Sequence, residues 1–307
     1  QFIGAPEDNR ISIPVAVLYT GTTWPHPLLG FEGGIPQLYS TTGETPFDGL
    51  GHGQWCITAA FGGRFTTRFG ECRGVAQADH ANLISVKTLS NIGFGSNWSV
   101  MQGMDLAIKQ GARVISMSLG GELQGSGAED PQCVFIEQHP QAIFVIAAGN
   151  SGPDPWTIGS PGAAPSAITV GAWSTHYDSL AIFSSRGPQG AFYGDNPIPY
   201  VADLLLLGPN LIKPDLVAPG GGPGSVLVAP PGALPLPVDL PAGDIQDQIY
   251  SGVTGWTDGM QDFTPLDGFD AMRGTSMACP HAAGLIAWAL DRGLISSGQA
   301  VTAKMAA

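Results

Sequence analysis

Basic residues are scarce in this chain. Its 307 residues hold 12 Lys and Arg against 25 Asp and Glu, a formal net charge of −13 with His neutral, and no Lys/Arg block occurs anywhere. A polyanionic backbone would be repelled rather than steered inward, so nucleic acid is excluded as a partner. Cysteine is sparse as well: Cys56, Cys72, Cys133 and Cys279 are too few for a disulfide scaffold and lack the paired CxxC spacing of a zinc site. Pairing of Cys56 with Cys72 and a set of buried free thiols both remain open. No apolar run reaches the roughly 18 residues of a membrane span; the longest, AIFVIAA and LIAWAL, fit a core strand and a core helix. Charged residues make up only 12%, against the composition of disordered chains. The chain opens at Gln1 with neither an initiator Met nor a signal sequence, so its compartment has to be inferred indirectly.

What is present points to a turn-dense sheet protein. Hydrophobic residues make up 43% and supply a sizeable core, and 44 Gly with 26 Pro describe a loop-rich, compact molecule. Short β-branched runs alternate with helical patterns: PVAVLY, a stretch from His52 to Ala60, NLISVKTL, VMQGMDLAIKQG, VISMSL and AIFVIAA. Alternation of this kind implies βαβ units. Runs that are continuously apolar mark strands buried on both faces, so the expected fold class is α/β, a three-layer arrangement with a central, mainly parallel sheet flanked by helices. SAITVGAW, LAIFSS and KPDLVAPG continue the strand pattern past Pro153. From about 221 to 270 the composition shifts to Pro, Gly and Asp without helical or strand periodicity, which reads as a surface insertion in a single domain of residues 1–307.

The most informative segment is GTSMACPHAAG. A glycine turn delivers Ser276 to a helix N-terminus, where free backbone N–H groups and the helix dipole favour a developing anion. The segment resembles the nucleophile motif of the subtilases, the subtilisin-like serine peptidases. VISMSLGG, FVIAAGNSGP, SPGAAPSAITVGA, FSSRGP and IKPDLVAPG resemble the family's other blocks, in order. The resemblance, which runs from Val15 to about Leu290, implies a subtilisin-like fold. It also implies Ser276 as the nucleophile and Asn150 as the side-chain donor to the oxyanion. By the same resemblance, Ser118, Leu119, Gly120 and Gly121, with Ala147, Ala148 and Gly149, wall the pocket for the residue before the scissile bond. Gly93, Phe94, Gly95 and Ser96 are implied to pair with an extended peptide as an added strand.

The departures bear on chemistry. Where the family places an aspartate at the end of a strand, this chain reads VAVLYTG, which puts Tyr19 at that position. The family's GHGTH block reads GHGQW here, which is taken to put Trp55 in place of the catalytic histidine and to leave His52 as a structural residue. Indole is a donor only, and a phenol with a pKa near 10 does not replace a buried carboxylate. The expected outcome is a pseudoprotease that binds an extended peptide or protein in the old cleft. The alternatives are an active serine endopeptidase or esterase using Ser276 with an unusual base, and a non-catalytic interaction domain. His281, five residues beyond Ser276, reads as a core histidine.

No cofactor and no metal are expected. The stretch FGGRFTTRFGECRG, where the family commonly has a metal-binding loop, carries three arginines and one Glu, which argues against calcium there. The aspartates of the insertion lack the alternation of an EF-hand loop. The family resemblance implies a secreted or extracytoplasmic protein.

Overall fold

The computed structural model describes residues 7–29, 35–67, 70–124, 127, 129–188, 212–222, 225–228, 236–239, 249–252 and 269–296. The central sheet has eight strands: β1 (Val15–Tyr19), β2 (Gln37–Ser40), β3 (Leu83–Lys87), β4 (Val114–Met117), β5 (Ile143–Ala147), β6 (Ile168–Ser174), β7 (Ser179–Leu180) and β8 (Leu216–Pro219). They lie in the order β7-β6-β5-β4-β1-β3-β2, with β8 also paired to β6. Every pairing is parallel except that of β7 with β6. The α/β expectation is therefore met. Of LAIFSS only Leu180 lies in a strand, the second residue of β7, before the chain turns.

Helices α1 (His52–Phe61) and α4 (Thr275–Asp291) cover one face of the sheet; α2 (Asn97–Lys109) and α3 (Pro131–Glu137) cover the other. The alternation of strand side chains divides the core accordingly. In β1, Val15, Val17 and Tyr19 pack with Trp55, Cys56 and Cys279 on the α1/α4 side. Ala16 and Leu18 pack with Val100, Met104 and Ile136 on the opposite side. With all five residues of β1 buried, each large apolar side chain contributes about 1.5–3 kcal/mol.

The insertion proves less featureless than its composition suggests. Ser225–Val228 pairs antiparallel with Leu236–Asp239, and Ile249–Gly252 with Phe269–Met272. Four-residue strands are too short to show a period in a stretch dominated by Pro and Gly, which is why the sequence pattern missed them. The rest of 221–270 lies outside the described residues, apart from Gly221 and Gly222. Among the described residues no helix is long and apolar enough to cross a membrane.

Candidate active site

The strands of a parallel sheet end together, and the loops beyond their carboxyl ends are the natural place for a site. β1 ends at Tyr19, β4 leads into Ser118 and β5 leads into Asn150, while α1 and α4 begin at the same edge. A cavity of ≈ 840 Å³ opens there, lined by Ser276, His52, Asn150 and the segments around them.

Ser276 sits in the first turn of α4, entered through Gly274 at φ 150°, a conformation open to glycine and costly for other residues. Its hydroxyl donates to the Ser118 carbonyl at 3.2 Å. Four residues on, Pro280 lacks the N–H that would close the helical bond to the Ser276 carbonyl. That carbonyl is satisfied from outside the helix instead, by Ser118 Oγ at 2.7 Å and Cys56 Sγ at 3.6 Å. Asn150 is fixed just as closely. Its Oδ1 accepts from both the backbone N–H and the hydroxyl of Thr275, each at 2.9 Å, which leaves the Nδ2 hydrogens as the side chain's remaining contribution to the cavity.

His52 is the first residue of α1 and lines the cavity with Ser276. The entry into this helix is unusually well held. Gly51 takes φ 88°, and the buried carboxylate of Asp48 accepts from the N–H groups of Leu50, Gly51 and Gln54 and from the Thr20 hydroxyl. Thr20 Oγ1 accepts in turn from Gly53 N–H. Backbone amides on both sides of His52 are thereby tied down. Gly53 is packed so tightly against the Gly21 backbone that a Cβ would collide with it. Burial pushes the His52 imidazole below its ordinary value, and the nearby Asp48 carboxylate opposes part of that shift.

Tyr19 lies under the site. It is 1% exposed, with its ring 5.6 Å from that of His52 at 70°, edge to face. Its hydroxyl donates to Ser118 Oγ and lies 3.2 Å from Ser116 Oγ. Burial, with the Cys56 and Cys279 thiols close by, raises the phenol well above its usual value, so it stays protonated. The result is a relay of hydroxyls from Tyr19 through Ser118 to the carbonyl of Ser276.

Trp55 corrects an expectation. It is 0% exposed, does not line the cavity, and packs edge-on against His281 at 6.2 Å. Three residues into α1, its side chain joins the core between α1 and α4, while His52, one turn earlier, stays at the cleft. Of the two residues, His52 and not Trp55 shares the cavity lining with Ser276, against the expectation that His52 is structural. The signal was available: His52 is the residue that opens the helix, and the first turn of a helix at the strand ends is the part that faces a cleft. His281 is half-buried against Trp55, with Nδ1 2.6 Å from the Met277 carbonyl and its titration pushed down by burial.

Ser118, Leu119, Gly120, Gly121, Ala147, Ala148 and Gly149 all line the cavity. Of the segment implied to pair with peptide, Gly93 alone does so. Phe94 is 76% exposed outside the cavity lining, Ser96 caps α2 through the Ser99 N–H at 3.0 Å, and a Cβ on Gly95 would strike the Thr88 carbonyl. The opposite wall, from Trp156 to Ser160, was not anticipated. All four cysteines are free thiols. Among the described residues no group of three or more His, Cys, Asp or Glu is arranged to hold a metal.

The subtilase family model matches residues 11–305, and the chain belongs to that family. It is similar to pyrolysin of Pyrococcus furiosus, 33% identical over 226 residues that cover 70% of this chain and 14% of that protein. It is also similar to the serine protease AprX of Bacillus subtilis, 35% identical over 231 residues, 68% of this chain and 46% of the relative. The chain thus spans less than half the length of either. A cold-adapted subtilisin-like serine proteinase of known structure superposes with a TM-score of 0.63 at 24% identity, covering 98% of this chain and 82% of that one, which shows the shared fold.

Proposed function

We propose that this chain is a subtilase with an incomplete triad. It binds extended peptide or protein segments in the cleft and hydrolyses them slowly through Ser276 and His52, with Asn150 as oxyanion donor and Tyr19 standing where the family's orienting carboxylate belongs. The observation that carries the reading is that His52, Ser276 and Asn150 line one cavity while a neutral tyrosine lies beneath the imidazole. A serine hydroxyl needs a base to take its proton and return it to the leaving group, and His52 is of the right type. The missing part is the partner that orients the imidazole and stabilises the imidazolium. Tyr19 gives its hydrogen bond to Ser118 and supplies no negative charge. In subtilisin itself, loss of the aspartate costs roughly 3 × 10⁴ in kcat, against about 2 × 10⁶ for loss of the histidine or serine. Esters, with better leaving groups than amides, are the substrates on which the remaining activity is easiest to see.

The test is labelling by a fluorophosphonate together with turnover of an ester and peptide panel, using Ser276→Ala as control. Slow labelling and ester turnover that vanish in the control support the reading. Absence of both, with peptide binding retained, would instead support a pseudoprotease. We further assign residues 1–307 to one peptidase domain carrying the 221–270 insertion, and place the protein outside the cytoplasm. The match over residues 11–305 supports the first assignment and family membership the second.

A further inference from the structure

The described lining of the cleft is almost entirely uncharged. Among the described residues of its lining, Glu122 is the only one besides His52 with an ionisable side chain, and neither Lys nor Arg is present. Glu122 is exposed and follows the wall of Leu119, Gly120 and Gly121. That wall is stitched to the opposite one: Gly121 N–H donates to the Ser160 carbonyl at 2.9 Å, and Ser160 N–H returns the bond to Gly121 at 3.1 Å. A Cβ on Gly159 would strike the Gly121 carbonyl, so the walls are in contact at this point. Trp156, at the start of the second wall, is held at φ 68°. A bulky residue in the left-handed region is an outlier with a conformational cost, retained where surrounding structure or function requires it. The segment therefore presents an indole and a carboxylate on two joined walls of one cavity.

An aromatic face and a carboxylate together suit a cation on a long apolar stem. We propose that this end of the cleft is a subsite for an arginine or lysine side chain, taken from the residue before the scissile bond, with Glu122 as counter-charge and Trp156 as the surface over which the stem and cation lie. The inference rests on the reading of the cleft as a peptide-binding groove. The net charge of −13 acts in the same direction, raising the local concentration of cationic segments at low salt. Arg186, a cation of the segment facing Thr157, does not line the cavity and interacts with Asp154.

The experiment measures binding, so that it does not depend on turnover. Fluorescently labelled tetrapeptide amides that differ only in the last residue, Arg, Leu or Glu, are titrated into the Ser276→Ala protein and followed by anisotropy. The expected result is that the Arg peptide binds at least about tenfold tighter than the Leu and Glu peptides at low salt. That preference falls to within about twofold in Glu122→Gln, shrinks in Trp156→Leu, and weakens with added NaCl, because the pair is partly exposed and screened. Equal or tighter binding of the Leu peptide, or an Arg preference that survives in both variants, overturns this inference and leaves the peptide-binding cleft standing. Failure of all three peptides to bind overturns both.

Discussion

The two sides of the cleft have fared differently. On the side of β4, β5 and α4, each part meets its partner: Asn150 is aimed by Thr275, Ser276 is held against Ser118, and the glycine-rich walls are joined through Gly121 and Ser160. On the side of β1 and α1, the helix start around His52 is anchored through Asp48 and Thr20, and the ring packed against His52 is a phenol where the proposed chemistry calls for an anion. On the proposed reading, the groups that would stabilise charge on the substrate are in place, while the group that would stabilise charge on the base is not. The two are separable because different elements carry them. Filling the space under His52 with a ring hydrogen-bonded to Ser116 and Ser118 satisfies packing without touching the oxyanion side.

The comparison is tested most severely at the nucleophile. Ser276→Ala should abolish fluorophosphonate labelling and all residual ester turnover, and labelling that persists would place the reactive group elsewhere. Next, Asn150→Ala should lower ester kcat by roughly 10²–10³-fold with little change in KM, since the amide acts on the transition state. On the other side, Tyr19→Asp should raise kcat, by about 10²-fold if the new carboxylate reaches His52; no gain would mean that the Tyr19 position does not address the base.

A pH profile sharpens the same point. With burial holding His52 below the ordinary imidazole value of about 6.5, the active neutral form persists into mild acid, and turnover should fall only below that pH. The Tyr19→Asp carboxylate favours the imidazolium, so in that variant the acid limb should move upward. Stability follows the same sign: the folded state takes up the His52 proton less readily than the unfolded chain. The contribution is therefore present above about pH 6.5 and is lost as pH falls through the depressed value. The smallest catalytic effect is expected from Trp55→Phe. Turnover should stay within about threefold, while thermal unfolding reports a loss of roughly 1–3 kcal/mol from the packing between α1 and α4.

Much of this was legible in the residues. Continuous apolar runs such as VAVLY and IFVIA are what strands buried on both faces require, and they gave the parallel sheet; GTSMACPHAAG gave the helix that presents Ser276. The assignment of α1 failed at the resolution of one turn. His52 and Trp55 both lie near the start of a helix, and hydrophobic pattern alone does not say which faces solvent and which the core, since both are compatible with burial. The wall at Trp156 was invisible for a different reason. A positive φ on a tryptophan is imposed by tertiary contact and has no local signature of the kind a glycine provides.

Pro280 lends one more meaning to the site. A ladder with a rung removed accepts a hand from the side, and here the hands belong to Ser118 and, behind it, Tyr19. The Ser276 peptide group is thus braced by Ser118, which in turn takes the hydrogen bond of Tyr19. Exchanging Tyr19 changes two things at once: the electrostatics around His52 and the footing of Ser276.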